Sequence, residues 1–569
     1  MTTLLLVAVT LGVFYPVLRQ EFVPWDDDIL VYENPYLEAV TPSKILHFWR
    51  QPYQKLYTPV TYSLYALLAP MAQAPQPLTT PGGGQSTLDP RVFHLANLVL
   101  HILNVLLVFA ILRLLIGHEG AAAGGALLFG IHPVQVETVA WISELKGVLS
   151  GFFSLLALWQ YLRYALAHRE GLPLRRQRWH YALAVIAFIL ALLSKPSAVA
   201  VPLIAWALDY WAVQRPTRTA TRALAGWIAL AALWIVVSRF AQPTPNIRIP
   251  LWWRPFVAGD ALAFYLVKLA LPLHLGPHYS RTPSFVMQHT WSYWSWIVPV
   301  VFAIVVWRRR QSRPWLMAAL GVFVAAVLPV LGFVPFIFQG HSTVADRYLY
   351  LALLGPAYGL AWLLRRPKKF ASVLWAVVLL LYAWQTTRQV RYWRDGMTLF
   401  THTLRINPRS WVAHNSLGNT LAGQGKSAEA IRHYRQAIEI NPLETQALNN
   451  LGVALARQGQ TTAAIEHFRT VLQIDPDDYM AYVNLANTLA QEGQLTDAVS
   501  YYEQALRLRP DSPAAHNNLG LALARQGELA QAITHYEEAL RLQPTDAETH
   551  YNLGIAWGRQ GKAQQAIQH

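Results

Sequence analysis

The sequence predicts an all-α protein in two parts, a polytopic helical bundle in a membrane followed by a solenoid of short helical repeats. Apolar stretches close to the roughly 20 residues needed to cross hydrocarbon recur through the first 390 residues. Beyond residue 410 the chain repeats with a period of 34. Charge divides the chain at the same place. Of the 46 basic and 31 acidic residues, 411–569 holds 11 and 16, which leaves 35 and 15 for the first 410. Because the basic surplus lies in the hydrophobic part, cytoplasmic membrane loops explain it and no nucleic-acid partner is expected. The chain has no cysteine, which excludes a disulfide scaffold, thiol catalysis and Cys-ligated metals.

Eleven spans are read at 3–19, 92–112, 121–140, 147–165, 180–194, 197–213, 223–240, 292–307, 315–335, 347–364 and 371–390. A further segment, 258–275, carries Lys268 and is assigned to the outer interface. The first span lacks a basic flank and a small-residue cleavage site, so it reads as an uncleaved anchor. Short basic loops should be cytoplasmic. They are Arg169, Arg175, Arg176 and Arg178; Arg215, Arg218 and Arg222; Arg308, Arg309, Arg310 and Arg313; and Arg365, Arg366, Lys368 and Lys369. An integral, multi-pass protein follows, with the N-terminus cytoplasmic and everything from 391 on the outer side, whether periplasmic, extracellular or lumenal. The loops around 20–58, 132–146, 241–291 and 336–346 then face outward, and the chemistry is sought there.

In the repeat region Gly418, Gly452, Ala486, Gly520 and Gly554 are each 34 apart, as are Gly425, Gly459, Gly493, Gly527 and Gly561. The same spacing holds for Tyr434, Phe468, Tyr502 and Tyr536 and for Pro442, Pro476, Pro510 and Pro544. This pattern resembles the tetratricopeptide repeat, in which small residues let two helices cross closely, an aromatic fills the gap and a proline ends the second helix. Four complete repeats start at 411, 445, 479 and 513, and a fifth stops at His569. A stack needs a polar cap, so the chain is expected to be a fragment or to be capped by something outside it. Phe400 and Asn407-Pro408 share the register. The domain reading is therefore a membrane domain over 1–390, a junction half-repeat over 391–410 and repeats over 411–569. Stacked repeats form a concave groove suited to an extended peptide or a partner helix.

Six of the 15 acidic residues of the membrane region lie between Glu21 and Glu38. The bland reading is a solvated loop with a helix cap at Asp28. Asp26, Asp27 and Asp28 beside Trp25 repel one another at a membrane surface, however, and such clusters mark a base or a cation site. An aspartate there is placed to take the proton from an attacking hydroxyl. A divalent metal on the triplet stays an open alternative, and no cofactor is otherwise implied.

Several strings resemble one family. They are Trp25-Asp26-Asp27 with Asn34-Pro35; Tyr57-Thr58-Pro59-Val60-Thr61-Tyr62; Phe93-His94-Leu95-Ala96-Asn97 with His101 and Asn104; Ile131-His132-Pro133 through Glu137 to Trp141-Ile142; Leu193-Ser194-Lys195; and Ser342 through Asp346-Arg347 to Tyr350. In this order, and followed by the repeats, they resemble the transmembrane and tetratricopeptide-repeat O-mannosyltransferases, which share the multi-spanning GT-C glycosyltransferase class with the protein O-mannosyltransferases. The resemblance implies a GT-C-like membrane domain and transfer of a sugar, mannose in the family, from a polyprenyl-phosphate donor to Ser or Thr of a protein acceptor on the outer face. It implies that Asp26 or Asp27 is the catalytic carboxylate and that Glu137 is a second acid. Asp28 is an extra carboxylate, so the choice among the three stays open. His132, before a proline at a membrane boundary, is more often structural.

An anionic leaving group needs fixed cations. Lys195 and Arg347 are the candidates, with Arg281 and Lys268 weaker, and Arg347 has an obvious neighbour in Asp346. Pro196 follows Lys195 where the family usually has Glu, which removes one acid. No phosphate loop, His-Glu-x-x-His helix or nucleophile elbow is present. Two rival readings stand: a non-catalytic scaffold recruiting envelope proteins through its repeats, and a ligase or polymerase acting on lipid-linked polysaccharide.

Overall fold

The computed structural model describes residues 1–80, 85–241, 249–366 and 369–568. It divides into two compact units, Met1–Ser410 and Trp411–His569. Lys368, counted above in a basic loop, lies outside the described residues.

In the first unit seven helices among the described residues are long and apolar enough to cross a membrane: Thr2–Arg19, Pro90–Ile116, Ile142–Arg169, Leu174–Ser194, Pro196–Val213, Thr217–Ala241 and Phe370–Arg391. The count of eleven is not reached. Segment 121–140 is broken after the helix Glu119–Ile131, and 292–307 and 315–335 are the short helices Ser292–Arg308 and Pro314–Val330. Segment 347–364 is a 3₁₀ turn, Asp346–Leu349, and a ten-residue helix, Leu354–Leu363. Segment 258–275, expected at the interface, overlaps the helix Arg254–Ala270. A two-stranded antiparallel pair, Gln73–Thr79 with Gln85–Leu88, is a small exception to the all-α prediction.

The break inside 121–140 has a local cause that also builds the site. Pro133 has no N–H and cannot extend the preceding helix. The backbone turns extended at His132 and continues as three short buried turns, Pro133–Gln135, Val136–Ala140 and Ile142–Glu144. Backbone freed in this way must find partners at membrane depth. Helix Pro90–Ile116 supplies them from one face. Asn97 Nδ2 donates to the carbonyls of Val139 (3.3 Å) and Trp141 (3.0 Å), Asn104 Nδ2 to that of Val148 (3.0 Å), and His101 Nε2 lies 2.9 Å from that of Gly130. The family-like string from His94 to Asn104 thus acts as scaffold for the loop that carries Glu137.

The first loop packs onto the same place. Asn34 caps Pro35–Glu38 and Thr41 caps Pro42–Arg50 through their side-chain oxygens. Helix Pro59–Leu68 is tied down by Thr61 Oγ1, which donates to the Ser194 carbonyl (2.9 Å), and by Tyr65 OH, which donates to that of Ile142 (2.9 Å). Helix Gly396–Ile406, capped by Asp395, falls within the first unit, with Phe400 buried 6.2 Å from the Trp25 ring.

The second unit is a stack of helix pairs whose first helices start at Trp411, Thr445, Tyr479, Pro513 and Ala547. Small residues are required where those helices cross. A β-carbon on Gly418 would lie 2.5 Å from the Tyr434 ring, and one on Gly452 or Gly520 would lie 2.6 or 2.7 Å from Phe468 or Tyr536. The second glycine of each repeat turns the chain with φ between +77° and +92°, a conformation that suits glycine. Amides line the stack at the repeat spacing, with Asn450 donating to Asn415 and Asn419, Asn484 to Asn449, Asn518 to Asn487 and Asn552 to Asn517.

Candidate functional site

The segment after the first helix, the broken segment 132–146 and the Asp346–Leu349 turn bring charged side chains together around Trp141. The Trp25 ring lies 5.5 Å from that of Trp141, and the guanidinium of Arg347 lies 5.5 Å from the same ring. Carboxylates and cations alternate here. Arg347 pairs with Glu137 Oε1, its backbone N–H donates to Glu137 Oε2 (3.0 Å), and its Nε lies 3.7 Å from Glu144 Oε1. Glu144 Oε2 in turn accepts from Lys195 Nζ at 2.7 Å. The partner of Arg347 is therefore Glu137, 210 positions away, rather than its neighbour Asp346. Asp346 accepts from Tyr279 OH, at 2.8 and 2.9 Å to its two oxygens.

The three adjacent aspartates occupy three environments. Asp27 is buried and fully engaged: Oδ2 accepts from Val23 N (3.0 Å), and Oδ1 accepts from Ser143 N (3.0 Å) and Ser143 Oγ (2.5 Å). Burial raises its carboxyl to about 7 against these hydrogen bonds. Asp27 staples the first loop to the start of the Ile142–Arg169 helix. Asp28 opens a single π-turn, Asp28–Tyr32, with Oδ1 buried and without a partner, and burial raises its carboxyl as well. It caps no helix with its side chain. Asp26 differs from both. It is part-exposed, and no described residue hydrogen-bonds its carboxylate. Desolvation raises its carboxyl to about 6, opposed most strongly by the charge of Lys146 and then by Arg347. A carboxylate that has no partner, is reachable and titrates near neutrality has the properties required of a general base.

The remaining candidates are engaged elsewhere. His132 uses both ring nitrogens, Nδ1 accepting from Val134 N (3.3 Å) and Nε2 lying 3.1 Å from the Leu269 carbonyl. Arg281 pairs with Asp260 at 2.5 Å over the Trp291 ring. Lys268 does not snorkel alone, since its ammonium donates to the carbonyls of Leu273 (2.6 Å) and His274 (3.0 Å). Among the described residues no group of three or more His, Asp or Glu is placed to hold a metal ion, and the engagement of Asp27 with Ser143 keeps the triplet from converging on one. Sequence reasoning missed Glu144 and Lys146. The available signal was the string Ser143-Glu144-Leu145-Lys146, two charges at the head of an apolar span.

Two models of the tetratricopeptide repeat match the C-terminal unit, one over residues 415–479 and 483–547 and the other over 535–568. A protein O-mannosyl-transferase of Caenorhabditis elegans is 23% identical over 463 residues, which is 76% of this chain and 62% of that protein. Further curated relatives of this chain carry the same name, protein O-mannosyl-transferase. They include Tmtc3 of Drosophila melanogaster, 26% identical over 62% of this chain and 46% of its own length, and human TMTC1, 24% identical over the same shares. The chain thus spans about half to three-fifths of the length of these relatives. Among solved structures, a segment of MamA from Desulfovibrio magneticus RS-1 is 24% identical and covers 28% of this chain and 90% of its own, with a TM-score of 0.27. YrrB, described as a TPR protein with an unusual peptide-binding site, is 20% identical and covers 30% of this chain and 87% of its own, also with a TM-score of 0.27.

Proposed function

We propose that this chain is a membrane glycosyltransferase of the GT-C class that moves mannose from a polyprenyl-phosphate donor to a Ser or Thr hydroxyl of a protein on the outer face of the membrane. The observation that carries the proposal is Asp26, a part-exposed carboxylate without a hydrogen-bond partner, raised to about 6 and set beside a network of paired charges. The names of the relatives support the sugar and the acceptor class. In this reading Asp26 accepts the hydroxyl proton as the oxygen attacks the anomeric carbon. The bond from that carbon to the phosphate oxygen breaks, and its electron pair leaves with polyprenyl phosphate. Asp27 holds the loop that presents Asp26, and Glu137 fixes Arg347. Lys195 and Arg347 add positive potential near the leaving group while keeping their carboxylate partners. Broken helices such as Glu119–Ile131 and Pro314–Val330 count here as membrane-embedded, which restores eleven crossings with the N-terminus cytoplasmic and the repeats outside. The repeats present the acceptor in their groove. No resident cofactor is required.

The test is glycopeptide mass spectrometry of envelope proteins from cells with the wild type, Asp26→Asn or no copy. Hexose on Ser/Thr peptides is expected in the first alone. Identical glycopeptides in all three would overturn the proposal.

A further inference from the structure

Of the cations near Glu137, Glu144, Asp260 and Asp346, four are engaged. Lys195 is held by Glu144 at 2.7 Å, Arg347 by Glu137, Arg281 by Asp260 at 2.5 Å, and Lys268 by two backbone carbonyls. Lys146 differs. Among the described residues nothing accepts a hydrogen bond from its ammonium and no carboxylate pairs with it. It is only partly buried, one residue from the Gly147 position that packs against the Glu144–Lys195 pair. Its Nζ lies 5.9 Å from the centroid of the Trp141 ring, the ring that also meets Arg347 and Trp25. A lysine ammonium has three donors and no acceptor; Asp26 and Glu144 feel its charge, but among the described residues none of its donors has a protein acceptor. Glu144, the nearest acid on its own turn, is already shared by Lys195 and Arg347.

We infer that Lys146 is the side chain that takes the phosphate of the lipid-linked donor, beside the Trp141 ring. The inference rests on the glycosyl-transfer reading and deepens it. As the anomeric carbon–oxygen bond breaks, the phosphate passes from a singly charged diester to a doubly charged monoester. A cation whose donors are not taken up by a carboxylate answers that growing charge more strongly than one already held in an ion pair. Lys195 and Arg347, each held by its carboxylate partner, then add positive potential near it.

Binding of the product lipid separates this step from catalysis. Full-length protein in nanodiscs is titrated with undecaprenyl phosphate and with undecaprenol, using wild type, Lys146→Gln and Lys146→Arg, with phosphatidylglycerol as competitor. The wild type should prefer the phosphate form, and Lys146→Gln should lose about 10- to 100-fold of that preference, as expected for one charge-assisted hydrogen bond. Lys146→Arg should restore most of it, and phosphatidylglycerol should not compete. Equal preference in wild type and Lys146→Gln would overturn the role of Lys146 and leave the glycosyl-transfer reading standing. Displacement by phosphatidylglycerol would assign the site to bulk lipid headgroups and overturn the inference. A wild type that does not distinguish the phosphate from the alcohol would overturn both.

Discussion

Asp26→Asn should stabilise the protein while removing its activity. An aspartate whose carboxyl moves from 3.8 to about 6 on folding is harder to ionise in place than in the unfolded chain, by roughly 3 kcal/mol. That penalty is absent below about pH 3, where both states are protonated. It grows as pH rises through the interval between the two values, is about half developed near pH 5, and is complete above about 6. Asparagine has nearly the same shape and carries no charge, so the variant should gain about 1–3 kcal/mol at pH 7.5, the lower end reflecting water at the part-exposed carboxylate, and about 0.5 kcal/mol or less at pH 4. The readout is intrinsic tryptophan fluorescence during unfolding in detergent, because 20 of the 22 tryptophans precede Trp411 and report on the first unit. Equal destabilisation of Asp26→Asn at both pH values would refute the reasoning, since it would mean that the carboxylate makes a contact on which the fold depends.

Gly147→Ala places a methyl group against the Glu144 carboxylate and 3.2 Å from Lys195 Nζ. Transfer should fall at least about tenfold and the first unit should lose about 2–4 kcal/mol, read by the same unfolding assay. Glu137→Gln leaves the guanidinium of Arg347 buried with weakened compensation, and a loss of about 3–5 kcal/mol, visible as lower yield of folded protein in the membrane fraction, is expected. Because the triplet does not converge, incubation with EDTA should leave transfer within about twofold of the untreated enzyme, provided that the donor itself is supplied in excess.

The fold was legible in the sequence where its causes are local. The helix starts at Trp411, Thr445, Tyr479, Pro513 and Ala547 follow from a spacing of 34, because each repeat needs its own small residue under its own aromatic ring. Long uninterrupted spans were equally plain. Segments such as 121–140 were not, because hydropathy continues across a proline that ends the helix, and a buried loop at membrane depth is as apolar as the helix it replaces. At the site, the concentration of acid between Glu21 and Glu38 marked the loop but did not choose among three neighbours. What sets them apart in the structure is Ser143, 116 positions away, which engages Asp27, whereas no described residue hydrogen-bonds the Asp26 carboxylate. The pairing of Arg347 with Glu137 is likewise long-range, so adjacency to Asp346 misled. Lys146 had no signal beyond its place at the head of an apolar span.

The central claim is that Asp26, and neither of its neighbours, is the base. Its most direct test is transfer by purified, reconstituted protein supplied with a polyprenyl-phosphate mannose donor and a Ser/Thr-rich acceptor peptide, followed by mass spectrometry across pH 4.5–8. Wild type should add a hexose, with kcat/KM falling about tenfold per pH unit below about 6. Asp26→Asn should be inactive over the whole range, and Asp27→Asn should keep measurable transfer wherever it folds. Transfer by Asp26→Asn at a rate near that of the wild type would contradict the account.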